Sequence, residues 1–323
     1  MASVATFNPV LTGVLVKQFV ANAGGLVWPV LAPVFNTVLQ SAKYPVWPVS
    51  NDVNVPILKP RSYGDGYQRA SFDLSDDSYS CTNRGLEVPI DDDFRAVYQN
   101  QLDADMAAVG KINNTVTINQ ELRTKAAIDA AVAASLITVA TTPSVKWNAT
   151  SGTPTPVKDV KAAKNAFAKR NGAEPTHIII PRAVAEALEE DSDVLERIKY
   201  TGAVDAANIG NGTLQRILAE VLGIQNVVIA GKLRNTATEG QAISLDYIWG
   251  KDVYLSYSQP GNDLSLPNAM RTFVLNGQSP ETTMGVFTYR DETHSSDIHR
   301  GKVFTDEKIT GARFLTKIPG CIS

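Results

Sequence analysis

Apolar and polar positions follow several distinct rhythms along the chain, and each rhythm predicts a different element. Through residues 1–50 apolar side chains are dense, yet the pairs Trp28-Pro29, Ala32-Pro33, Tyr44-Pro45 and Trp47-Pro48 interrupt them. Proline lacks a backbone donor and drives its predecessor toward extended backbone, so no regular helix runs through this whole stretch. It reads as an extended arm. Carrying Val27, Trp28, Val30, Leu31, Val34, Phe35, Val38 and Leu39, such an arm exposes a large apolar patch unless it lies on its own core or on another subunit. A strand and loop packed on the same chain is the competing reading. Residues 51–90 are polar and turn-rich at Arg61-Ser62-Tyr63-Gly64-Asp65-Gly66-Tyr67, with Val53, Val55 and Ile57 before and Tyr79, Leu86 and Val88 after. Apolar alternation around Gly and Asp turns predicts a long two-stranded hairpin, which is only marginally stable unless it lies against something.

From Asp91 the spacing changes to threes and fours. Phe94, Val97, Tyr98, Leu102, Met106 and Val109 mark one helix face, and Ile118, Leu122, Ala126, Val132 and Leu136 resume it. The aspartates 91–93 suit the positive end of a helix dipole. Gly110 and Asn113-Asn114 weaken the pattern, so the expectation is two consecutive helices or one long helix with a local defect there. Residues 138–156, rich in Thr, Ser and Pro around Trp147, form a loop and the best domain boundary. Helix and strand alternate beyond it: helix 157–169, strand 176–181, helix 182–190, helix 213–222, strand 227–230, then 243–249 and strand 253–257. The tail carries Val286-Phe287-Thr288-Tyr289 and a closing strand around 311–317. The fold class is α+β, with a small central sheet in the second half.

Composition narrows the function. A chain of 323 residues with 44% hydrophobic residues buries a substantial core. A net charge of -3 and a pI near 5.7 argue against a dedicated nucleic-acid binder, which needs concentrated Lys and Arg; contact with DNA is expected to be unspecific. Two cysteines, Cys81 and Cys321, fit neither a zinc spacing nor a disulfide framework. No basic segment leads into a continuous apolar run, so a soluble, unexported chain without a membrane anchor is expected.

Catalytic signatures are scarce. Gly210-Asn211-Gly212 lacks the third glycine of a dinucleotide fingerprint, and neither a nucleophile elbow nor a phosphate loop occurs. His177, His294 and His299 read as surface histidines; the pair His294 and His299 is expected in a polar loop with Asp297. Helix-start aspartates explain Asp91–Asp93 more simply than a metal does. Cys81 has no histidine near it in sequence to activate it. The expectation is no catalytic residue, no metal and no cofactor.

Several segments together resemble the major capsid proteins of tailed bacteriophages, whose fold is named after phage Hong Kong 97. They include Leu26-Val27-Trp28-Pro29-Val30, Ser41-Ala42-Lys43-Tyr44-Pro45-Val46, Ser75-Asp76-Asp77-Ser78-Tyr79-Ser80-Cys81 and Leu86-Glu87-Val88-Pro89-Ile90-Asp91-Asp92. They continue with Lys146-Trp147-Asn148, residues 156–160, the run Asn171 to Pro181, Asp193 to Tyr200, Leu222-Gly223-Ile224, Val227 to Ala230 and Ile248-Trp249-Gly250-Lys251. The resemblance implies an N-terminal arm over 1–50, an extended β-hairpin loop over 51–90 and a peripheral domain with a long spine helix over 91–144. An α/β axial domain over 145–284 and a return to the peripheral domain over 285–323 complete it. By the same resemblance the arm and hairpin clamp neighbouring subunits, with Trp28, Val30, Val34, Phe35, Tyr63, Tyr67 and Arg69 as the intersubunit contacts.

The function implied is a shell subunit forming pentamers and hexamers of an icosahedral capsid around double-stranded DNA. Its partners are copies of itself, with scaffold, portal and cement proteins as further ones, and its location is the virion after assembly in the host cytoplasm. A fused scaffold domain is not expected, since no long charged helical segment opens the sequence. The alternatives are an encapsulin-like nanocompartment shell and an α/β enzyme with an unrecognised site. Some relatives join a loop lysine to a neighbour's peripheral asparagine. Lys59 is the only lysine between Asn51 and Ile90, and no asparagine occurs from Thr282 to Ser323, so no covalent cross-link is expected.

Overall fold

The computed structural model describes residues 6–7, 11, 25–46, 48, 57–69, 71, 74–98, 103–201, 211–264, 266–276 and 285–323. Two larger sheets organise them, beside a small ribbon of β9 (Leu233–Asn235) and β10 (Leu245–Tyr247). The first has five strands in the order β6 (Thr138–Val139), β15 (Leu315–Ile318), β11 (Val253–Ser256), β7 (His177–Pro181) and β8 (Asn226–Ala230). The run Ile178-Ile179-Ile180 is buried on both faces, as expected where helices cover a central strand. Helix Pro156–Asn171 turns Val157, Val160, Ala163 and Phe167 inward and ends on Gly172 at φ 71°, a left-handed cap that glycine adopts without a side-chain clash. Helices Arg182–Glu190 and Asn211–Leu222 pack on β7 and β8. Ser192–Thr201 adds a helix that apolar spacing left undefined.

The second sheet has six strands. Its centre is β14 (Ser296–Lys308), which pairs with β13 (Gly285–Asp291) along residues 296–302 and with β12 (Arg271–Leu275) along 305–308. On its other edge β5 (Thr82–Asp91) runs antiparallel, from Ser296↔Asp91 to Thr305↔Thr82. β1 (Thr6–Phe7) and β2 (Val34–Thr37) complete it. Gly85 is required by close approach here: a Cβ on it would lie 2.6 Å from the Gly301 carbonyl oxygen. Gly85→Ala must push β5 from β14, and a loss of about 1–3 kcal/mol is expected from the overpacking. Urea unfolding at equilibrium measures it.

A helix of 30 residues, Ala104–Ala133, joins the two sheets. At 1.5 Å per residue it spans about 45 Å. Asp103 caps it, its side chain accepting from the Met106 amide at 3.1 Å. The first half buries Val109 and Ile112 with Val286, Leu86 and Val88 on the six-stranded sheet, whereas Ile128 and Ala131 enter the core of the five-stranded one. The break in helical order therefore differs from the expected one. Helix Asp92–Tyr98 precedes the cap at Asp103, and Gly110, Asn113 and Asn114 lie inside continuous helix. Burial of Val109 and Ile112 outweighs the roughly 1 kcal/mol that an interior glycine costs.

Three further expectations change. The stretch Val27–Ala32 is not a free arm: Val27, Leu31 and Ala32 are fully buried in the core of the five-stranded sheet. Trp28–Leu31 forms one helical turn with Pro29 in its first turn, where a missing donor costs nothing. The hairpin stem begins at residue 41 rather than in the fifties, because β3 (Ser41–Val46) pairs with β4 (Ser75–Ser80) from Ser41↔Ser80 to Val46↔Ser75; Val53 and Val55 lie outside the described residues. The tail divides between the sheets, β13 and β14 joining one and β15 the other, and Arg271–Leu275 joins the six-stranded sheet ahead of residue 285. The chain thus crosses between the sheets more often than a single return would.

Candidate assembly surface

The hairpin stem is held by aromatic stacking. Tyr79 lies on Phe273 of β12 with ring centroids 4.3 Å apart and planes 6° from parallel, and Tyr44 packs beside it at 5.3 Å. Pairs of this kind contribute about 0.5–1.5 kcal/mol beyond their area burial. The Tyr79 hydroxyl meets Thr37 Oγ1 at 2.6 Å, and the Tyr44 hydroxyl donates to Asp77 at 2.8 Å. Burial and the adjacent Asp77 raise the Tyr44 ionisation well above the ordinary tyrosine range, so this hydroxyl stays protonated. Cys81 lies under the same cluster, fully buried.

Beyond this rigid stem, residues 57–69 stand in solvent. Ile57 is 87% exposed, Leu58 81% and Tyr67 79%, and Tyr63 is fully exposed. Arg61 orders the turn: its guanidinium lies 4.4 Å from the Tyr67 ring centroid and its Nε donates to the Asp65 carbonyl at 2.5 Å. Arg69 is exposed as well. Val38, Leu39 and Leu74 extend the apolar exposure toward the stem, and Phe94 and Val97 are exposed separately on the helix at the other end of β5.

The expected contact residues are therefore not alike. Tyr63, Tyr67 and Arg69 lie together on the exposed loop. Val30, Val34 and Phe35 are half-buried, and Phe35 rests edge-on against Phe273 at 5.5 Å. Trp28 is buried inside its own chain.

Two polar clusters fix how the elements meet. The Glu121 carboxylate, fully buried on the long helix, accepts from the amides of Val27 at 3.0 Å and Trp28 at 3.0 Å and from Trp249 Nε1 at 2.5 Å. Helix, N-terminal segment and the loop before β11 converge on it. Desolvation raises its ionisation above the ordinary carboxylate range, opposed by these donors and by Lys232. Sequence reasoning missed this residue, since one glutamate within a helical pattern looks like a solvated face.

The second cluster joins helix Asp92–Tyr98, the start of the long helix and β14. Arg95 bridges Asp105 at 2.7 Å and Asp297 at 2.6 Å, and Arg290 bridges Asp92 at 2.5 Å. The Arg290 guanidinium holds the Asp92 carboxyl below its ordinary range. His299 sits within β14, buried, with Nε2 2.9 Å from Asp105. It is not a surface histidine in a polar loop. His294 does lie in the turn, 2.8 Å from Asp291. Among the described residues no group of His, Cys, Asp and Glu could hold a metal ion.

Comparison with solved structures agrees with this architecture. A phage-related protein from Bordetella bronchiseptica RB50 superposes with a TM-score of 0.70 at 19% identity, covering 97% of each chain. The capsid structure of the cyanophage P-SCSP1u gives a TM-score of 0.56 at 13% identity over 91% of this chain and 88% of that one. This is the phage major-capsid fold. A virus-like particle from Pyrococcus furiosus shares it, with a TM-score of 0.54 at 11% identity over 95% of this chain and 97% of that one. No protein-family model matches the sequence, and neither does any curated protein. On this capsid fold no helix among the described residues is long and apolar enough to cross a membrane.

Both thiols of this capsid-fold chain are inert by position. Burial pushes Cys81 up to about 11 and Cys321 up to about 12. Since the thiolate is the reacting species, neither should be alkylated in the folded chain at pH 7.5. Mass spectrometry after maleimide treatment should find unmodified protein until denaturant is added; a rapid adduct would contradict the buried placement.

Proposed function

We propose that the chain is a structural shell subunit that assembles with copies of itself and performs no catalysis. The observation that carries this reading is the loop 57–69, whose apolar side chains stand in water on a stem anchored to the chain's own core. A monomer gains nothing from Ile57, Leu58, Tyr63 and Tyr67 in that position. A shell hides them, and the fold is shared with phage capsid structures. Residues 41–80 then act as the extended loop, the second sheet with helix Ala104–Ala133 as the peripheral domain and spine, and the five-stranded sheet as the axial domain. Pentamers and hexamers close an icosahedral shell around double-stranded DNA, with scaffold, portal or cement proteins as further partners. Many weak contacts per subunit add through effective concentration. A charge of -3 suits a container that neither reads nor grips the duplex. Assembly takes place in the host cytoplasm and the product is the virion.

The likeness to a virus-like particle from Pyrococcus furiosus supports a second reading, a nanocompartment that encloses protein cargo. Particles purified from the native source decide between the two: extracted double-stranded DNA supports the capsid, and a co-purifying enzyme with little nucleic acid supports the compartment.

Such shells should be held by packing alone. Mature particles boiled in detergent are expected to run as one band near 34.8 kDa: the segment from Thr282 onward offers no asparagine to Lys59, which leaves those of β5 and the long helix, such as Asn83 and Asn119, as the acceptors that a cross-link would have to use. A reductant-resistant ladder of oligomers would contradict this.

A further inference from the structure

Between the hairpin stem and the loops of the five-stranded sheet lies a cleft of about 870 Å³. Its apolar walls include Tyr44, Ala173, Leu266 and Phe314, and two guanidinium groups, Arg271 and Arg313, line it; no aspartate or glutamate stands among its described lining residues. Arg313 is locked in place, donating from Nε to Asn171 Oδ1 at 3.0 Å and from Nη2 to the Arg170 carbonyl. Arg170 answers it, donating from Nη2 to the Arg313 carbonyl and to Thr316 Oγ1 at 2.9 Å. The two cations thus stand side by side, and burial, with repulsion from Arg313 added, lowers the Arg170 ionisation. Arg170 Nε is buried with no hydrogen-bond partner among the described residues. Arg271 is buried too, its donors spent on the carbonyls of Gly261 at 2.7 Å and Asp263 at 2.5 Å, with the Asp263 charge attracting it and the Phe35 ring centroid 5.9 Å away. Two cations on the wall of an apolar cleft, with Arg170 directly behind Arg313, are costly to desolvate without anions to face them.

We propose that this cleft receives an acidic, partly apolar stretch of a second copy of the chain, so that a neighbour's carboxylate faces Arg313. The inference rests on the shell reading and adds the chemistry of one contact to it. Charge favours a second copy as the occupant: the chain carries a surplus of acid, and the exposed Asp93 and Glu190 are carboxylates that it can present. The cleft volume accommodates several side chains, in the range of pockets that enclose a whole ligand. A contact in which a basic cleft on one copy takes an acidic segment from a different face of the next is heterologous, the kind of contact that builds rings where its rotation closes.

Leu266 is the position for the test, being 36% exposed on the cleft wall. Leu266→Glu places a carboxylate beside the arginines within the same chain, and should leave the thermal midpoint unchanged while cutting particle yield at least tenfold. Leu266→Cys introduces an accessible thiol beside two buried native ones; its maleimide labelling should slow at least tenfold in assembled particles relative to dissociated subunits. Wild-type yield from a folded Leu266→Glu, or equal labelling of Leu266→Cys in both states, would overturn the cleft assignment and leave the shell reading standing. A wild-type chain that stays monomeric in the same experiment would remove both.

Discussion

Replacing Ile57, Leu58, Tyr63 and Tyr67 together by serine is expected to abolish particle formation while leaving the subunit folded. These four side chains are exposed, and surface substitutions away from packing sites usually change stability by only about 0.5 kcal/mol or less. In an assembled shell the same side chains would be covered, and full burial of one large apolar side chain is worth about 1.5–3 kcal/mol. Losing four therefore removes about 6–12 kcal/mol from each subunit's contacts, far more than assembly can absorb. Light scattering should show no particles, and the urea midpoint should match the wild type. Particles at normal yield would show that the loop is not a clamp. Deleting residues 1–40 is a poorer test, because it removes Val27, Leu31 and Ala32 from the chain's own core and β2 from its sheet.

Glu121→Ala is the second large effect, and it concerns the fold itself. The substitution strands three buried donors, the amides of Val27 and Trp28 and the Trp249 indole, and each unsatisfied buried group costs about 1–3 kcal/mol. Removing a desolvated charge offsets part of this, so a net loss of about 3 kcal/mol is expected. Equilibrium urea unfolding measures it, and a loss under about 1 kcal/mol would mean that water replaces the carboxylate. The pH dependence carries a sign. Burial raises this carboxyl's folded ionisation above its unfolded one, so the folded chain binds the proton more tightly. Stability from this group is fully present below the ordinary carboxylate range and declines as pH rises through the raised folded value. Glu121→Gln, which cannot ionise, should lack that slope.

Much of the fold was legible in the residues. The isoleucine run of β7 reads as a buried strand, helix Pro156–Asn171 carries its apolar face and its terminal glycine, and the long helix shows through its spacing. What stayed hidden has physical causes. From His299 onward alternate positions of β14 are buried, but beside Val303 they are His299, Gly301 and Thr305, so the period of two is present without the hydrophobicity that reveals it. The stem of the hairpin owes its position to Tyr44 and Tyr79 meeting Phe273, 229 and 194 residues further along the chain, a contact that no local pattern encodes. Of the candidate surface, the loop at Tyr63 and Tyr67 follows from its turn chemistry. Trp28 misleads because an aromatic beside proline looks the same whether its partner is its own core or a neighbour's. Glu121 and the paired Arg170 and Arg313 become visible only when distant segments are brought together.

Self-assembly can be seen by negative-stain electron microscopy of the purified chain, expressed alone and concentrated. Closed particles of uniform diameter, or rings and tubes built from the same capsomers, are the predicted result. A monodisperse monomer at every concentration reached would contradict the account.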